Sequence, residues 1–136
     1  MNEIFTEFKQ QTTKTTRQNI LNKYHNQLRP IFDIIFNPNI TFHDIPNKLP
    51  DDYKETDNLS GLTYSTIHHE LKRLYLFQTS NTLTNEKRHD LLLQILESLT
   101  KEEAIIFLNI LNKKLNVPYL TPKLINETYN TQYEIR

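Results

Sequence analysis

The sequence predicts an all-α fold, a single compact domain of six to seven helices. Two observations lead there, and a third bounds the chemistry. Apolar residues recur at helical spacing along most of the chain. There is one glycine, Gly61, in 136 residues, whereas sheet-rich and phosphate-cradling folds need glycine for positive-φ turns and close backbone approach. Cysteine is absent, which excludes a disulfide framework, a thiolate metal site and a cysteine nucleophile.

The elements follow in order. Ile20, Leu21 and Tyr24 mark a short helix begun by one of the threonines in TTKTT, residues 12–16. Leu28, Ile31, Phe32, Ile35 and Phe36 fall at i, i+3, i+4, i+7 and i+8, one face of a second helix. Pro30 is expected in the first turn of that helix, where a missing N–H is tolerated, and Pro38 beyond its end. Residues 38–63 hold three prolines, four aspartates and Gly61. They read as a long irregular connection, of a length that points to a short helix or a lid.

Tyr64, Ile67, Leu71, Leu74 and Tyr75 are expected on one apolar face, and Leu92, Ile95, Leu96 and Leu99 on another. Thr100 with Glu103 is a capping-box signature. It opens a helix through Ala104, Phe107, Leu108, Leu111 and Leu115 that Lys113 and Lys114 close. Thr121-Pro122 reads as an N-cap with proline at the first helical position, starting a last helix to about Tyr129. The domain is expected over residues 1–129, with 130–136 as a tail.

No stretch approaches the roughly 20 apolar residues of a bilayer span, and MNEIFTEFKQQ lacks the basic start and apolar run of a signal peptide. A soluble, cytoplasmic protein is expected. Sixteen Lys plus Arg balance sixteen Asp plus Glu. Residues 1–30 are basic, five bases to two acids, and 31–60 acidic, two bases to six acids.

Chemistry-bearing groups are sparse. His68 and His69 are neighbours, about 100° apart on a helix, and none of the five histidines pairs at i, i+4, so no metal site is expected. Glu102-Glu103 suits a helix's first turn and Asp51-Asp52 a polar loop. A single glycine allows neither a nucleophile elbow nor a glycine-rich phosphate loop, and no catalytic residue or cofactor is expected. Most of the seven Tyr and seven Phe recur beside Leu and Ile as core. Tyr119, Tyr129 and Tyr133 lie off those faces.

One segment stands out: LNKKLNVPYLTPKLINETY, residues 111–129. A helix start at Thr121 with Lys123 in its first turn, close after Lys113 and Lys114, suits either a phosphate site or ordinary capping. Lys14, Arg17 and Lys23 of the basic first segment are the other candidate phosphate contacts.

This segment resembles the end of the helical DNA-binding domain of ATP-dependent DNA ligases, those of T-even bacteriophages above all. The resemblance runs back through GLTYSTIHHELKRLYLFQTSNTLTNEKRHDLLLQILESLTKEEAIIFLNILNKKL (61–115) to TTKTTRQNILNKYHNQLRPIFDIIFNPNITFHDIPNKLP (12–50), covering about residues 12–129. It implies a domain that grips duplex DNA through the minor groove. Lys113, Thr121 and Lys123 fall near the family's phosphate-contacting turn, and Asn126 in the helix behind it. Where those ligases usually carry a glycine in the turn, this chain has Val117-Pro118-Tyr119. The Lys-x-Asp-Gly adenylation motif is absent. The resemblance therefore implies a non-catalytic, free-standing bacteriophage protein that binds double-stranded DNA. The other reading is a protein-interaction module, a virion component or an inhibitor of a host protein, that kept the fold without the DNA.

Overall fold

A computed structural model describes residues 1–43, 45–54 and 66–133. The described residues form seven α-helices: α1 (Asn2–Lys9), α2 (Lys14–Lys23), α3 (His25–Phe36), α4 (Ile67–Glu70), α5 (Asn85–Glu97), α6 (Lys101–Leu111) and α7 (Pro122–Tyr129). A 3₁₀ helix, Leu71–Phe77, continues α4. Outside the helices, backbone pairing among described residues includes a single bridge between Phe42 and Gln78. The fold is all-α, a small single domain.

Threonine starts most of these helices. Thr13, Thr66, Thr84, Thr100 and Thr121 each accept a hydrogen bond from the amide three residues on, satisfying one of the orphan donors of the first turn. Thr13 and Thr16 close a reciprocal capping box. The box at Thr100 is half made. Glu103 donates its amide to Thr100, but its carboxylate reaches across to the start of α1. There it accepts from the Asn2 amide at 2.7 Å and the Met1 amino group at 2.8 Å.

Helix α6 lies at the centre, against α1, α3 and α5. Its Ala104, Phe107, Leu108, Ile110 and Leu111 are buried with Leu28, Ile31, Phe32, Ile35 and Phe36 of α3 and Leu92, Ile95 and Leu96 of α5. The expected faces of these helices are thus the core. Helix α1, not expected from the sequence, adds Ile4, Phe5 and Phe8.

Four expectations need correction. Pro30 sits inside α3, in its second turn. It is exposed, as is Asn26, whose carbonyl would otherwise take the missing N–H, so water can meet that carbonyl. Tyr75 does not share the apolar face of Ile67, Leu71 and Leu74: it is 60% exposed, and Phe77 is buried in its place. The cause is the 3₁₀ winding, in which residues three apart eclipse, so Leu71, Leu74 and Phe77 align and Tyr75 turns out. Tyr64 lies outside the described residues.

Helix α6 ends at Leu111, so Leu115 lies past it and not on its apolar face, while Lys113 and Lys114 form the turn that closes it. Finally, residues 131–133 do not trail away. Tyr133 packs on Phe36 with ring centroids 5.1 Å apart, and its hydroxyl donates to Asp33. Residues 134–136 of the expected tail lie outside the described residues.

The connection after α3 is irregular and pinned where it is described. Asn112 donates to the Pro46 carbonyl at 3.0 Å, the Lys54 amide donates to Glu97 at 2.9 Å, and His89 pairs with Asp52 at 2.9 Å. Gly61 lies outside the described residues.

Candidate nucleic-acid interface

Leu124 and Ile125 bury the inner face of α7, and Ile20 and Leu21 that of α2, so the two helices pack together. The Tyr129 hydroxyl locks the pair, donating to the Leu21 carbonyl at 2.6 Å. Lys14 and Arg17 of α2 are thereby brought beside Tyr119, Thr121, Lys123 and Glu127. Lys14, Thr121, Lys123, Leu124 and Glu127 line one shallow depression.

The charges differ in availability. Lys14 meets Glu127 at 2.6 Å, and this hydrogen bond holds the Glu127 carboxyl below its ordinary range. Arg17 and Lys123 make no ion pair among the described residues. The Arg17 guanidinium lies 4.0 Å from the centre of the Tyr119 ring, and its buried Nε has no hydrogen-bond partner among the described residues. At the start of α7, Pro122 has no amide proton, while Thr121 takes the Leu124 amide on its hydroxyl and the Ile125 amide on its carbonyl. Of the amides of residues 122–125, that of Lys123 alone makes no hydrogen bond among the described residues, fewer than a phosphate-binding helix start would offer.

The segment between α6 and α7 has an unusual backbone. Lys113, Asn116 and Tyr119 all have positive φ, at 60°, 54° and 67°. Lys113 closes α6: its amide donates to Ile110 and that of Lys114 to Asn109, the paired bonds of a Schellman motif with lysine where glycine is usual. Val117 to Leu120 form a turn closed by Leu120 N–H to Val117 carbonyl at 3.2 Å. Proline second and positive φ third define a type II turn, and Tyr119 occupies the glycine position. A bulky residue there costs on the order of 1–3 kcal/mol, against about 0.5–1 kcal/mol for an exposed cation–π contact. Val117 and Leu120 anchor the turn by burial, while Tyr119 is 66% exposed.

The expected site residues therefore separate. Lys14, Arg17, Thr121 and Lys123 come together. Lys23 lies at the far end of α2, held by Glu7 at 3.0 Å, where Tyr24 also donates to Glu7. Lys113 turns inward: its ammonium donates to the Asn37 and Ile40 carbonyls at 2.6 and 2.5 Å, tying α6 to the end of α3. Lys114 is exposed. Asn126 works for the fold, its amide bonded to the Tyr133 carbonyl and its oxygen to the Tyr133 amide and Thr131 hydroxyl. Tyr119 and Glu127 were not expected in the site. Pro118 was the available signal for the first, since proline marks the second position of such turns.

The histidines are dispersed. His43 lies against the Asn81 carbonyl and His68 against that of Gln27, and His25 packs edge-on to Tyr129. Among the described residues no group of three potential ligands gathers around a metal-sized space. Among the described residues no helix is long and apolar enough to cross a membrane.

Residues 4–117 match a family described as "Family of unknown function (DUF6433)". The chain belongs to that family. The DUF6433 match takes in Lys14, Arg17, Lys23, Lys113 and Lys114, while Thr121 and Lys123 lie beyond it. No curated protein and no solved structure gives a significant match.

Proposed function

We propose that this protein is a non-catalytic module that binds duplex DNA, an accessory protein of bacteriophage type acting in the host cytoplasm, and that it does so through the α2–α7 face. One observation carries the reading. Helix packing gathers cations from distant parts of the sequence, and two of them, Arg17 and Lys123, make no ion pair among the described residues, while Glu127 in the same depression lies within the field of Lys123. The resemblance to the ligase DNA-binding domain supports it, because the same turn carries phosphate contacts there.

Contacts of this kind go to the phosphate backbone, so binding is independent of sequence. Few cations are available and net charge is zero, so affinity is low and its salt dependence shallow. A partner protein of the phage or its host is the second reading. It is favoured by the charge balance and by the pairing of Lys14 with Glu127.

Fluorescence anisotropy with labelled duplex, intact and nicked, at low and physiological salt separates the two. Affinity should fall by about 0.9 log unit per decade of salt for each phosphate contact. Arg17→Gln and Lys123→Gln should each weaken binding to every sequence and flatten that slope by about one contact. No binding at low salt overturns the DNA reading in favour of a protein partner.

A further inference from the structure

Three tyrosines stand off the apolar helix faces, and folding accounts for two of them. Tyr129 bonds Leu21 and packs on Phe32, and Tyr133 packs on Phe36 and bonds Asp33. Tyr119 differs. Its ring is largely exposed, its hydroxyl has no hydrogen bond among the described residues, and its backbone holds a conformation suited to glycine. Glycine would make the same turn without strain, and the burial that anchors the turn belongs to Val117 and Leu120. Strain kept at an exposed aromatic points to a use for the ring itself.

We infer that Tyr119 is a stacking platform for an unpaired nucleobase, so that the α2–α7 face prefers DNA with a single-stranded extension over uninterrupted duplex. The inference deepens the DNA-binding reading and rests on it. The Arg17 guanidinium lies over one face of the ring, 4.0 Å from its centre, so it sets the plane of the ring and leaves the opposite face for a base. A flat π face next to an unpaired cation matches a nucleotide, whose base stacks on the ring while its phosphate meets the guanidinium. In the adjoining depression Lys123 lies beside the Lys14–Glu127 pair and offers its charge to the next phosphate. Bases inside a duplex are already stacked on each other, so the ring selects a base free of its pair.

The test compares a blunt duplex with the same duplex carrying a short 3′ extension that contains 2-aminopurine. It uses the intact chain and the variants Tyr119→Phe and Tyr119→Gly, each checked for native helicity by circular dichroism. The intact chain and Tyr119→Phe should bind the extended DNA roughly tenfold more tightly than the blunt one, and quench the 2-aminopurine. Tyr119→Gly relaxes the turn; it should lose the quenching and bind the extended and the blunt DNA alike. Binding of both DNAs without preference, or a preference that survives Tyr119→Gly, overturns the inference and leaves the DNA reading standing. Binding of neither DNA overturns both.

Discussion

Replacing Lys113 by alanine should destabilise the fold without changing the salt dependence of DNA binding. Among the described residues the ammonium donates two part-buried hydrogen bonds, to the carbonyls of Asn37 and Ile40. Hydrogen bonds from a charged group contribute about 1.5–3 kcal/mol each, and both carbonyls lose their partner in the variant. Freedom regained by a released lysine side chain offsets up to ~2 kcal/mol. With the full offset the net loss should be ~1–4 kcal/mol, a large share of the 5–15 kcal/mol typical of a domain.

The backbone supplies an internal control. Lys113 holds φ at 60°, so Lys113→Gly loses the same bonds but releases left-handed strain, and should be about 1 kcal/mol more stable than Lys113→Ala. Urea unfolding followed by far-ultraviolet circular dichroism measures both. With a slope of about 1–3 kcal/mol per molar urea, the Ala midpoint should fall by about 1 M. A Lys113→Ala midpoint equal to that of the intact chain, together with a flatter salt dependence of DNA binding, would refute the reasoning. The ammonium would then be a phosphate ligand and not a tie between α6 and α3.

Leu96 and Phe107 are fully buried, so either one truncated to Ala should cost roughly 2–5 kcal/mol in the same assay. Burial, and then the hydrogen bond to Asp33, push the Tyr133 phenol from its ordinary value near 10 up to about 12; burial shifts Tyr129 in the same direction. A raised acid favours the protonated folded state, so this stability is fully present below pH 10 and is lost as pH rises through the folded values. Alkaline unfolding measured between pH 9 and 12 should begin near pH 10, and the double change Tyr129→Phe, Tyr133→Phe should flatten the loss while lowering stability at neutral pH. Incubation with labelled ATP should leave no AMP on any lysine of the chain, and a labelled band on a denaturing gel would overturn the non-catalytic reading.

What the sequence determined by itself is local in origin. Helical spacing of Leu, Ile and Phe placed the buried faces of α3, α5 and α6, because a periodic apolar stripe has one way to leave water. Thr100 and Thr121 announced their helix starts, since a threonine hydroxyl can reach the amide three residues on without help from elsewhere. Helix α1 carries the same kind of signal in Ile4, Phe5 and Phe8, but in a stretch too short for periodicity to stand out. Tertiary structure decided what depends on partners distant along the chain. Glu103 looks toward Thr100 in sequence, yet its carboxylate caps α1 because α1 and α6 pack side by side. Lys113 reads as a surface cation, yet two carbonyls at the end of α3 lie within reach and take its protons. Arg17 and Tyr119 are about a hundred residues apart, and only the packing of α2 on α7 makes them one surface. A hydrogen-bonding side chain declares its capacity in sequence, but which acceptor it meets is set by the fold that brings that acceptor within about 3 Å.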